Sequence, residues 1–171
     1  MLSTTREVTA VAMLTAGGIA LFVIESVIPA PLPFLKVGLA NISSLLAMLT
    51  LGIPQMFIVM ILRVVVGSML VGSLFTPGFV LAIGGGVTSA IAMAVTKKAS
   101  KDLFSPVGIS LIGSFTHVLT QFLLALWLYV QSAAFFFLLP LLLLSGFLGG
   151  LAVGLITSRM LRVLKSTRLH A

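Results

Sequence analysis

Apolar runs long enough to cross a lipid bilayer, broken by short segments rich in proline and glycine, limit what this chain can become. A bilayer core about 30 Å thick needs roughly 20 apolar residues per helix. On that measure six helices are expected, over about 8–28, 39–51, 55–72, 78–96, 107–130 and 134–164. The first stops at a cluster of Pro29, Pro31 and Pro33. The second is short and ends at Gly52 and Pro54, and Pro54 suits the first turn of the third. The sixth is long enough to project beyond the membrane. Only 8% of the 171 residues are charged, against about 25% in soluble domains, and mean hydropathy is +1.29. Too little polar surface exists to cover a globule in water. The expectation is a single all-α integral membrane domain over residues 1–171, with lipid as its solvent. The first run exceeds the roughly 7–15 residues of a signal-peptide core and has no convincing cleavage site, so it is read as a retained span.

The net charge is +7, and the cations are grouped. Lys97, Lys98 and Lys101 form one cluster; Arg159, Arg162, Lys165 and Arg168 form another. Both flank apolar segments, which is the positive-inside pattern and not a nucleic-acid face. With both termini cytoplasmic, Arg6 and the two clusters lie inside and only Lys36 lies outside. The opposite orientation would put nine of the ten Lys and Arg residues outside or within a span. There are no cysteines, which excludes disulfides and thiolate chemistry. Small residues recur every fourth position in three helices: Ala12, Ala16 and Ala20; Ala82, Gly86, Ala90 and Ala94; and Gly146, Gly150, Gly154 and Ser158. Such stripes let backbones approach closely. The second and third read as internal packing, and the first as the better candidate for docking another membrane protein.

Few polar groups fall inside the apolar runs: Glu25, Arg63, His117 and Gln121, with Asn41 at a helix start. A charge at mid-membrane costs about 2.5–3.5 kcal/mol on insertion scales, so such residues face the bundle interior and are functional candidates by default. Arg63 falls near mid-depth of the third helix and Glu25 about one turn from the outer end of the first. A Glu25–Arg63 pair is compatible with both depths. It is either a structural ion pair or leaves Arg63 a face for an incoming anion. His117 and Gln121 are four apart and share a helix face, which Thr120 and Gly113 extend. One histidine and one glutamine fall short of the three or four ligands of a zinc site, so hydrogen bonding to a ligand or between helices is expected and no metal. Lys36 and Asn41 bracket a segment that forms either a lid over a pocket or a surface anchor. No GxxxxGK[ST] phosphate loop is present, and the only acids are Glu7, Glu25 and Asp102, so neither ATP hydrolysis nor paired-carboxylate catalysis is supported.

Three segments carry a family likeness: KVGLANI (Lys36–Ile42), LRVVVGSMLVGSLF (Leu62–Phe75) and GSFTHVLTQ (Gly113–Gln121). With them the chain resembles, over nearly its whole length, the Gx transporter family, often labelled heptaprenyl diphosphate synthase component I. That family is related to the substrate-binding S components of energy-coupling factor (ECF) transporters. The resemblance implies a six-helix bacterial cell-membrane protein that binds a vitamin or cofactor precursor near the outer face, under a loop between helices one and two. It also implies docking, through small residues of helix one, onto a membrane scaffold subunit carrying two ABC-type ATPases. Ala12 and Ala16, with Ala20 beyond them, fit that docking pattern. Arg63 would then bind an anionic group, Lys36 and Asn41 assist from the lid side, His117 and Gln121 hydrogen-bond the ligand, and Glu25 orient Arg63 or meet a cationic part. No cofactor is implied. The rival readings are a membrane accessory subunit of heptaprenyl diphosphate synthesis, and a solitary ion-driven transporter with Glu25 as its one intramembrane acid.

Overall fold

A computed structural model of the chain describes residues 4–28, 38–100 and 103–169. Six α-helices follow one another: α1 (Thr4–Val27), α2 (Asn41–Thr50), α3 (Ile53–Leu70), α4 (Pro77–Ser100), α5 (Pro106–Ala125) and α6 (Leu139–Leu169). Their starts follow local chemistry. Pro54 sits in the first turn of α3 after Gly52, whose φ of +128° suits only glycine. Ser105 caps α5, its Oγ accepting from the Gly108 N–H at 3.2 Å. Beyond Ala125 the winding loosens into a π-type turn, Leu126–Val130, and a 3-10 segment, Ala133–Leu138, leads into α6. The expected fifth helix thus changes pitch before its end, and the expected sixth begins as a tighter turn ahead of Pro140. Phe122 stacks on Phe135 there, centroids 5.0 Å apart, and meets Phe136 edge-on.

Five helical stretches are long and apolar enough to cross a membrane: Thr5–Val27, Ile53–Leu70, Pro77–Ala99, Pro106–Val130 and Ala133–Ser166. The chain is an all-helical, multi-pass membrane protein. The second expected span does not qualify by length. Ten residues rise only about 15 Å, half of a bilayer core. Polar Asn41, Ser43 and Ser44 open α2 and Gly52 stops it. Its residues Ile42 to Met48 are all buried, so α2 is an internal plug ringed by the longer helices. Leu45 and Met48 pack there with Met56, Val59 and Met60 of α3 and Ala90 of α4 in the main core.

Contacts between helix ends fix the alternation of the bundle. Gln55, opening α3, donates to the Glu7 carboxylate near the start of α1. Lys97, ending α4, donates to the Met48 carbonyl at the end of α2, at 3.0 Å. A Cβ built on Gly154 of α6 would lie 2.6 Å from the Val107 Cα at the start of α5. Arg6, Lys97, Lys98, Arg159, Arg162 and Lys165 therefore share one end of the bundle. At about 46 Å, α6 outruns the bilayer core at that end. The small-residue stripes divide as their neighbours dictate. Gly86, Ala90 and Ala94 are buried, as are Gly146, Gly150 and Gly154, where α5 and α6 meet at backbone distance. Ala12, Ala16 and Ala20 are exposed.

Candidate ligand-binding site

Away from the basic end, all six helices contribute to the lining of a cavity of about 150 Å³, room for roughly five waters. Glu25 of α1, Asn41 of α2, Arg63 of α3, and His117 and Gln121 of α5 all line it. Five of the six ligand-binding candidates are thus brought together from four helices. Lys36 lies outside the described residues. Ala12, Ala16 and Ala20 lie on the opposite face of α1 from the cavity.

Of the two arrangements the sequence left open for the charges, a direct ion pair is not the one found. Glu25 does not neutralise Arg63 by direct pairing. Its Oε1 accepts from the Leu39 N–H at 2.6 Å and its Oε2 from the Ala40 N–H at 3.5 Å. These amides open α2, where the aligned peptide dipoles stabilise negative charge. Arg63 instead donates from Nη2 to Asn41 Oδ1 at 2.9 Å. Each charge is therefore fastened to the start of α2. Lys97 completes the arrangement at the far end, its ammonium on a free carbonyl of the same helix. The sequence had marked Lys97 only as part of a topogenic cluster; its reach into the bundle depends on how short α2 is.

Arg63 is 3% exposed, and its Nε is buried without a hydrogen-bond partner. Of five guanidinium N–H donors, one finds an acceptor among the described residues. Ser68, on the same helix, is wholly buried, lines the cavity, and has an unpartnered Oγ. Buried polar groups are normally satisfied, so these two positions, unpartnered among the described residues, stand out in the wall of the cavity.

Two glycines make the arrangement possible. A Cβ on Gly18 would fall 2.3 Å from Ser43 Oγ and 2.9 Å from Arg63 Cδ; the arginine stem crosses α1 at that residue. A Cβ on Gly85 of α4 would fall 3.0 Å from both His117 Cε1 and Gln121 Cγ. The shared face of His117 and Gln121 is therefore seated on Gly85. The extension of that face through Thr120 and Gly113 serves helix packing instead. Thr88 Oγ1 and Thr120 Oγ1 are hydrogen-bonded across α4 and α5 at 2.9 Å, and Gly113 admits Met93 and Ser89. Sequence reasoning missed Gly18, Gly85 and Ser68. The pair Gly17–Gly18 and the run Gly84–Gly86 were visible, but only a partner helix says which member is pressed.

The family described as heptaprenyl diphosphate synthase component I matches residues 14–160. The chain belongs to that family. The matched span holds every described residue of the cavity, Phe22 through Gly146, together with Ala16 and Ala20; Ala12 and most of the projecting basic end of α6 lie outside it. No curated protein and no solved structure gives a significant match.

Proposed function

We propose that this chain is the substrate-binding subunit of a membrane transporter, akin to the S components of ECF transporters. In this reading the cavity takes a small vitamin, or cofactor or quinone precursor, that carries an anionic group. The observation that carries the reading is Arg63: a buried guanidinium with most of its donors unused among the described residues, lining a cavity with His117 and Gln121. A purely structural arginine would be expected to spend its hydrogen bonds on the protein, because burying it unsatisfied costs several kcal/mol. Arg63 binds the anion, Asn41 orients the guanidinium, and His117 and Gln121 supply hydrogen bonds.

With the basic end cytoplasmic by the positive-inside rule, both termini lie inside a bacterial cell membrane. The cavity then opens toward the outer leaflet, and α2, buried among the other helices, lies along the second of six passes. The chain has no phosphate loop, so energy comes from a membrane scaffold subunit and two ABC-type ATPases, docked on Ala12, Ala16 and Ala20. The family's description favours a second reading, an accessory subunit of heptaprenyl diphosphate synthesis. Against a catalytic part in that synthesis stands the acid count: three Asp and Glu in the whole chain, too few for paired aspartate-rich metal motifs.

Affinity purification in mild detergent separates the two. Transport predicts co-purifying ABC ATPases and a bound small molecule that Arg63→Ala releases. A soluble prenyl synthase as stable partner, or retention of a bound anion unchanged by Arg63→Ala, refutes it.

A further inference from the structure

Among the described residues the proposed cavity holds one carboxylate and one guanidinium, and these form no direct ion pair. Glu25 is fastened to the Leu39 and Ala40 amides, Arg63 to the Asn41 side chain. Both nevertheless line the same space. A carboxylate offers about four acceptor positions and a guanidinium five donors. Two positions of the first and one of the second are taken among the described residues, so each charged group retains capacity toward the cavity.

The balance of charge restricts what fits between them. An entering monoanion would leave one negative charge in excess within an apolar bundle, and a monocation one positive charge. Either excess is poorly solvated at that depth. A ligand bearing both signs meets Arg63 with its acid and Glu25 with its basic nitrogen, and leaves the cavity neutral.

Resting on the reading of the cavity as a ligand site, we propose that the ligand is zwitterionic: a small molecule with an acidic group held by Arg63 and a protonated nitrogen held by Glu25. Glu25 is then a binding residue for the cationic end as well as the tie between α1 and α2. A pure carboxylate or phosphate is selected against by the carboxylate already present. Ser68 and Gln121 remain for neutral polar groups between the two ends.

The test uses the full chain purified gently in detergent, then denatured, with the released small molecules resolved by mass spectrometry before and after amine-reactive labelling. The proposal expects a retained molecule that carries both an acid and a basic nitrogen. Its retention falls by about ten-fold or more in both Arg63→Gln and Glu25→Gln, as expected for losing one partner of a buried charged contact. Glutamine keeps an acceptor for the Leu39 N–H, and thermal unfolding verifies that Glu25→Gln is folded. A retained acid without basic nitrogen, held as well or better by Glu25→Gln, overturns the zwitterion and leaves the anion-binding reading standing. A retained molecule unaffected by Arg63→Gln, Glu25→Gln and His117→Ala alike overturns the cavity reading itself. The wild-type molecule's charge class decides the proposal even where a variant does not fold.

Discussion

Two adjacent glycines of α1 should respond to the same substitution with opposite signs. Gly17 is exposed and has nothing within 4 Å of an added Cβ. Gly17→Ala therefore adds only helix propensity, worth up to about 1 kcal/mol. Gly18→Ala gains the same propensity but places its methyl 2.3 Å from Ser43 Oγ, 2.9 Å from Arg63 Cδ and 3.1 Å from Ser43 Cβ. Ser43 must rotate away from its 2.9 Å bond to the Ala40 carbonyl, a loss of about 1 kcal/mol. Arg63 Cδ must retreat by about 0.6 Å to reach ordinary carbon contact, and such overpacking costs about 1–3 kcal/mol. After the propensity gain, the net is a destabilisation of about 1–3 kcal/mol. The shift also pulls the guanidinium off Asn41, so retained ligand should fall about ten-fold, the equivalent of about 1.4 kcal/mol. Thermal unfolding in detergent reads the first effect and quantitative mass spectrometry of bound small molecules the second. Equal melting and equal retention in the two variants would show that Arg63 does not cross α1 at Gly18.

Three further outcomes follow from named contacts. Lys97→Met removes the ammonium from the Met48 carbonyl at the end of α2 and should cost about 1 kcal/mol of thermal stability; the neighbouring exposed Lys98→Met should stay within about 0.5 kcal/mol. Gly85→Val drives a branched side chain into His117 and Gln121, and a titration should show ligand affinity lowered about ten-fold or more with helix content by circular dichroism intact. Ala16→Leu, on the exposed face of α1, should leave melting and ligand retention unchanged but, if the proposed docking holds, remove the proposed ATPase-bearing assembly from a native gel. An unaltered assembly would place the docking face elsewhere.

The long helices were legible because nothing competes with hydrophobicity over 20 residues: the ranges around Gly78 to Thr96 and Val107 to Val130 needed only the bilayer thickness. Polar residues inside those runs were legible for the same reason, since Glu25, Arg63, His117 and Gln121 stand out against an apolar background. Pairing between them was not. Opposite charge and compatible depth suggested Glu25 with Arg63, but a helix N-terminus competes for a carboxylate as effectively as a guanidinium does. The start of α2 supplied both the amides that took Glu25 and the Asn41 oxygen that took Arg63. Hydropathy did not show that α2 is buried among the other helices, because an apolar run reads alike whether lipid or protein surrounds it. Its length, half a bilayer, was the one sign that it is a plug.

The two faces of α1 connect these observations. Only 11% of its apolar stretch is buried, against 39% for α3 and α4, so it is held along one face and most of its surface looks outward. Its contacts run along one face: Val11 and Leu14 pack on the main core, and nearer the site Gly18 meets Ser43 and Arg63, Phe22 covers Gly67 and Glu25 takes the amides of α2. The Glu7–Gln55 contact adds a tie near the basic end. The other face presents Ala12, Ala16 and Ala20 outward. A group entering the cavity beside Glu25 and Arg63 thus acts on the residues that seat α1, and anything bound along the alanine stripe acts on the same helix from behind. If both events change how α1 sits, linkage requires that each alter the affinity of the other by an equal factor. Measured in both directions on Gly18→Ala, where the seat is disturbed without touching the alanine stripe, that coupling should weaken while docking to the wild-type partner surface persists.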